Sequence, residues 1–287
     1  MSVFVSTTYL KDKSKIQEAL DELHAHNIRN IELGSNHTRT DIKSLKLYKD
    51  SQYLAHNYFP AEDPNFILNI SSQNSKIRNH SIRFIKNTIK LCKKLNIGFY
   101  TIHPGFFGDV TKSKNIPKTG NFDFQFKKNA SVKTRNMIIN ETIKIIGDLY
   151  KFADKRNVQL LVENEGSQTS SQFVIFAIPE ELDLLKKEVG ESLKFNFNLA
   201  HATLAGINLD DLKTFLHFYK NSLFFEVSEI SGEYDSHLPI GAKGQISSLL
   251  KRYSSYFARK NLILEYRNTN IREVESSHKY VTRLLKA

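Results

Sequence analysis

Eight short apolar runs at fairly even spacing constrain this chain more than anything else in it, because most of them end on a polar residue. The runs are SVFVS (2–6), NIELG (30–34), YLAHN (53–57), FYTIH (99–103), LLVEN (160–164), FNFN (195–198), FFEVS (224–228) and LILEY (262–266). Val, Ile, Leu, Phe and Tyr dominate them, as expected of strands buried on both faces of a parallel sheet. Between them lie stretches with helical content: KIQEALDELHAHN, IRFIKNTIKLCKKL, MIINETIKIIGDLYKFADK, PEELDLLKKEV, LDDLKTFLHFYK and QISSLLKRYSSYF. Strand and helix therefore alternate eight times. In a chain of 287 residues this predicts one (β/α)8 TIM barrel over residues 1–287, a fold of about 250 residues that grows through its loops. A doubly wound sheet would also alternate, but it would not need a polar residue at the end of so many strands. Barrel enzymes carry their catalytic groups at those ends, which here hold His56, His103, Glu163, Asn198, Glu226 and Glu265.

Composition bounds the function. A 40% hydrophobic content is enough for one large core, and no linker rich in Pro, Gly or Ser divides the chain. The only cysteine, Cys92, lies on an apolar helix face. No disulfide framework is possible, so a reducing cytoplasm is expected and Cys92 reads as core. The N-terminus lacks a basic start followed by a long apolar stretch, and no run reaches the roughly 18 apolar residues of a membrane span; a soluble, unexported protein is expected. The net charge of +11 could suit a polyanion. The basic residues are spread over every helix, however, and Trp is absent while Lys, Asn, Ile, Phe and Tyr abound, which reads as a general residue bias. The irregular segment 104–128 follows the fourth run and is long enough to act as a flap over an anionic or sugar-like ligand.

Glu163, Glu226 and Glu265 sit in apolar strands, where an ionised carboxylate is costly unless it is paired or bound to a cation. Three of them at one barrel mouth would repel each other. A divalent metal resolves the conflict, and Asn198 could add a neutral carbonyl oxygen.

ENEG after LLV, FNFNLAHATLAG, FFEVSEISGEYDSHLPIGAKGQI and LILEYRN, with IHPG at 102–105, resemble the xylose-isomerase-like TIM-barrel superfamily over nearly the whole chain. That superfamily holds sugar isomerases and epimerases together with endonuclease IV-type enzymes. The resemblance implies one metal held by Glu, Asp, His and Glu, positions that fall here on Glu163, Asn198, Glu226 and Glu265. Asp has become Asn198 and His has become Glu226, yet the formal ligand charge stays the same. An all-oxygen set would favour Mn, Mg or Co over Zn.

The activity implied is isomerisation or epimerisation of a sugar or sugar phosphate through an enediolate, with Glu163 and Glu265 as the acid/base pair. His56, His103, His201 and His237 would bind substrate hydroxyls, and Arg267 and Lys243 would lie where such barrels bind phosphate. The alternative implied is an endonuclease IV-like zinc phosphodiesterase acting at abasic sites. Its outer metal positions match His56 and His103 with Glu163, and His201 with Asp235 and His237. Asn198 and Glu226 count against it, since they alter its central metal site. Family members often form homo-oligomers, and no residue here decides the point. Of the remaining residues, Glu32 could bind substrate but is expected to form a salt bridge across the barrel rim, and Asn57 to satisfy loop backbone or a hydroxyl. Gly241 and Gly244 should allow a tight turn, without the surroundings of a dinucleotide fingerprint.

Overall fold

Successive side chains of a strand point to opposite faces, so residues two apart share one face. In a closed barrel one of those faces is the interior. The computed structural model describes residues 1–11, 14–34, 36–38, 42–62, 66–108, 110–115, 122–126, 132–167 and 173–286. Its barrel strands are β1 (Val3–Ser6), β2 (Asn30–Leu33), β3 (Gln52–His56), β4 (Phe99–Ile102), β5 (Gln159–Glu163), β6 (Lys194–Asn198), β7 (Ser222–Val227) and β8 (Asn261–Leu264). All neighbours are parallel and the sheet closes in the order β1-β8-β7-β6-β5-β4-β3-β2. Each strand falls on one of the eight apolar runs. The helices are α1 (Ile16–Ala25), α2 (Ser75–Leu95), α3 (Val132–Asp154), α4 (Pro179–Val189), α5 (Leu199–Leu204), α6 (Leu212–Asn221), α7 (Gln245–Arg252), α8 (Ser254–Phe257) and α9 (Ile271–Leu284). The chain is a (β/α)8 barrel.

The barrel interior is layered by the two-residue period. Phe4, Leu54, Leu161, Phe224 and Ile263, with Phe99 against them, form an apolar cluster separate from the main core. Its rings meet edge to face, Phe4 with Phe224 at 5.8 Å and Phe99 with Phe224 at 5.1 Å between centroids. Two residues further along the same strands come Ser6, His56, Glu163, Glu226, Glu265 and Thr101, all buried. The apolar layer thus forms a dry floor and the next layer is polar. The opposite faces, including Val5, Ile31, Ala55, Tyr100, Val162, Phe225 and Leu264, pack in the main core with Leu20, Ile89, Leu182 and Val274 of the helices. Cys92 lies in that core, and burial pushes its thiol up to about 12. The reading of Cys92 as core holds.

Two expectations change. The described residues between β2 and β3 form turns and extended chain, with no helix. This segment lacks an i, i+3, i+4 apolar stripe and carries Gly34, Ser35, Asn36 and Ser44, so nothing favours a helix there. The expected irregular segment 104–128 contains an antiparallel pair, Val110–Asn115 with Phe122–Phe126. Residues 109, 116–121 and 127–128 of the proposed flap lie outside the described residues. Its base is tied down: Phe107 N donates to Phe173 O (2.6 Å), and Phe106 packs with Val174 and Ala177. A second hairpin, Glu229–Ser231 with Tyr234–Leu238, follows β7.

Buried His37 in the β2–β3 connection gives a pH test. Its Nε2 faces the Thr7 hydroxyl at 2.8 Å and its Nδ1 faces Ser14 O at 3.3 Å, and burial lowers its pKa to about 4. The folded state holds it neutral, while the unfolded chain takes up a proton near pH 6.5. Its contribution to stability is therefore full above pH 6.5 and lost as pH falls toward 4, by up to about 3 kcal/mol. Urea unfolding at pH 7.5 and pH 4.5 should show the advantage of the wild type over His37→Gln shrinking at the lower pH.

Candidate active site

The polar layer is a single buried network. Glu163 at the end of β5 is its hub. Its Oε2 lies 2.9 Å from His56 Nε2 and 3.2 Å from His103 Nε2. Its Oε1 accepts from Asn198 Nδ2 (3.1 Å) and lies 3.3 Å from His201 Nδ1. His103 reaches back through Nδ1 to Glu165 Oε1 at 2.8 Å. On the far side, Asp235 Oδ2 is shared by His201 Nε2 (3.1 Å) and His237 Nε2 (2.8 Å), and His237 Nδ1 lies 3.0 Å from Glu265 Oε2. The network thus runs from His56 through Glu163, His201, Asp235 and His237 to Glu265. The side chains of His103 and Asp235 are 19% and 26% exposed, and their partners are almost wholly buried, so these two mark the open side of the mouth.

Each strand end explains its residue. Asn198 closes β6 and caps α5: its Oδ1 accepts the His201 N–H at 3.0 Å, and Asn164 braces it by accepting Asn198 N and donating to Asn198 O. That cap sets the amide's orientation. Its Nδ2 turns toward Glu163 Oε1 and Glu226 Oε1, the latter at 2.8 Å, while Asn196 Nδ2 donates to Glu226 Oε2 at 2.8 Å. In this arrangement the Asn198 oxygen serves the helix cap and its NH2 faces the carboxylates. His237 adopts a left-handed backbone (φ 47°), an uncommon state for a side chain of this kind that is held by its surroundings. One such hold is the Arg267 N–H, which donates to His237 O at 3.1 Å.

The charges follow from packing. Burial pushes the Glu163 carboxyl up, but the charge of His103 and the hydrogen bonds from His103 and His56 outweigh it and hold it below the usual carboxylate range. Burial opposes the charge on Glu265 too, and His237 and then Arg267 overcome it. Burial depresses His201, yet Asp235 lifts it to about 10; the same opposition carries His237 to about 9. Glu226 forms no ion pair among the described residues, and burial followed by the carboxylates of Glu163, Glu265 and Glu32 drives it well above the ordinary range. Glu32 rises to about 7 by burial, against the charge of His56. It forms no ion pair among the described residues, and the Ser6 hydroxyl is its hydrogen-bonding neighbour. The salt bridge expected for Glu32 is not found among the described residues, and its side chain is wholly buried. Lys243 is exposed before α7, and no hydrogen bond or ion pair among the described residues joins it to the network.

Glu165, Asn164 and Asn196 were missed as site residues. The signal for Asn196 was available, since it precedes Asn198 by two and shares its face. Among the described residues one group has metal-ligand spacing: donor atoms of His56, His103 and Glu163 all lie within 4.8 Å of one another.

Residues 23–280 match the xylose isomerase-like TIM barrel family. The chain belongs to it. A relative from Methanocaldococcus jannaschii, itself uncharacterised, is 25% identical over 252 residues, covering 86% of this chain and 84% of the relative. Similar solved structures include a D-tagatose 3-epimerase-like protein (TM-score 0.72, 15% identity, 100% of this chain and 98% of that one). An IolI protein with a bound zinc atom follows (0.68, 14%, 100% and 98%), as does endonuclease IV from Thermus thermophilus (0.61, 13%, 100% and 98%). At these identities the likenesses show the fold. No helix among the described residues is long and apolar enough to cross a membrane.

Proposed function

We propose that this family member is a metal-dependent enzyme that isomerises or epimerises a sugar by moving a proton next to a carbonyl. The observation that carries this reading is the network joining two buried acids, Glu163 and Glu265, through His201, Asp235 and His237. A divalent cation fits His56, His103 and Glu163, whose donors converge. Two imidazoles in the set suit Co or Zn better than the Mg or Mn of an all-oxygen set. When bound, the cation would polarise the substrate carbonyl and favour the enediolate.

The chain's own residues would do the rest. Glu265, held ionised beside His237 and Arg267, takes the proton from the carbon next to the carbonyl. Glu163 can return one, drawing on His201, whose Nδ1 lies 3.3 Å from its Oε1. His201 and His237 are both held by Asp235 and orient substrate hydroxyls.

A panel of ketoses and aldoses in D2O with Mn2+, Co2+ or Zn2+ should show deuterium entering next to the carbonyl by NMR. Glu265→Gln should slow that exchange about 10²–10⁴-fold. The second reading, a zinc phosphodiesterase at abasic sites, is favoured by one feature: His201, Asp235 and His237 form a second histidine–carboxylate group beside the first. It replaces the sugar reading if no sugar exchanges and a duplex with an abasic site is nicked in a zinc-dependent way.

A further inference from the structure

Barrels of this kind often bind a substrate phosphate in the loops after the last two strands, at the N-terminus of a short helix, where free N–H groups and the helix dipole attract an anion. In this chain that place is already filled. Helix α7 follows β7 and the second hairpin, and its first free amides donate to one side chain: Ile246 N to Glu229 Oε2 at 3.2 Å and Ser247 N to Glu229 Oε1 at 2.7 Å. Glu229 is 7% exposed. Gly244, at the N-cap of α7 with φ +145°, has no room for a side chain, since an added Cβ would stand 2.1 Å from Glu229 Oε1 and 2.2 Å from its Cδ. The carboxylate therefore lies directly on the backbone, as close as a bound anion would. The Ser247 hydroxyl donates to Gly241 O at 2.6 Å and so is turned to the protein. The helix after the last strand is closed in the same manner. Asn270 Oδ1 accepts from Glu273 N at 3.1 Å, and the Glu273 carboxylate faces Asn270 N.

We propose that Glu229 is a built-in substitute for a substrate phosphate and that it sets specificity: the substrate is an uncharged sugar or polyol, and a terminal phosphate is excluded. An incoming phosphate would meet a buried carboxylate in place of free amides, and the one lysine of this loop, Lys243, is exposed and has no bond to the network among the described residues. The substrate half of this proposal rests on the sugar reading above; the occupation of the anion site by Glu229 does not.

The test is therefore a binding measurement that needs no turnover. Inorganic phosphate is titrated into the metal-loaded wild type, Glu229→Ala and Glu229→Gln, and binding is followed by calorimetry and by the rise in melting temperature. Glu229→Gln keeps an oxygen for the Ser247 amide and loses the charge, so it reports even if Glu229→Ala folds poorly. A phosphate held by the metal-type cluster would be common to all three proteins, and the difference between them isolates α7. Glu229→Ala should bind phosphate at least about tenfold more tightly than the wild type, and Glu229→Gln, which loses the charge but still covers the Ser247 amide, should fall between the two. Equal affinities in all three proteins, or saturable wild-type binding abolished by Arg267→Met, would overturn the proposal. If the variants gain phosphate and yet no sugar exchanges deuterium, Glu229 has its assigned role and the sugar reading alone is lost.

Discussion

Glu163→Gln is expected to strip the mouth of its cation and to abolish turnover. One oxygen of Glu163 serves His56 and His103 together, and the other meets Asn198 and His201. No other side chain among the described residues touches all four. A glutamine in that place is neutral and would turn an NH2 toward at least one of these partners, so the two imidazoles would lose the anion that orients them. Loss of a ligand or of the groups that orient it lowers metal affinity about 10–100-fold or more, and the buried histidines near it would then lack a counter-charge. Elemental mass spectrometry should find about one ion per chain in the wild type and far less in Glu163→Gln and His103→Ala. Unchanged metal content in both variants would remove the His56, His103 and Glu163 assignment.

Gly166→Ala is expected to destabilise the protein by about 3 kcal/mol or more, at the upper end of overpacking effects. A Cβ at Gly166 would stand 1.9 Å from His201 O, 2.4 Å from its C and 2.5 Å from its Cα. These are backbone atoms of α5, with no flexible side chain to move aside. Relief would require α5 to shift, and α5 carries His201 and the cap made by Asn198. The loss should appear both in urea unfolding and in turnover. Gly98→Ala is the control, since an added Cβ there meets nothing within 4 Å; it should leave stability within about 0.5 kcal/mol of the wild type, as surface changes usually do. Equal behaviour of the two alanine variants would show that α5 is more compliant than its contacts imply.

Much of this site was legible before any tertiary structure. Burial on both faces makes barrel strands read as apolar runs, so a carboxylate or imidazole at the end of such a run stands out. His56, His103, Glu163, Asn198, Glu226 and Glu265 were found in this way, and the structure brings them together with His201 and His237. Glu32 was seen and given the wrong setting. A rim salt bridge is the ordinary fate of an isolated glutamate, and only closure of the barrel puts Glu32 inside, beside Ser6 of β1.

What the sequence determined by itself is the alternation of strand and helix and the polar layer above an apolar one, because both are periodic properties of the local chain. Phe4 and Ser6, Leu54 and His56, Leu161 and Glu163, Phe224 and Glu226, and Ile263 and Glu265 each stand two apart, and that spacing alone assigns them to one face. What only the tertiary structure decided is which way the groups turn and what they meet. Asn198 presents its NH2 because its oxygen caps α5, and Glu229 fills the start of α7 because a hairpin folds it back over Gly244. Both outcomes depend on hydrogen bonds between segments distant in the chain, whose geometry no local period encodes.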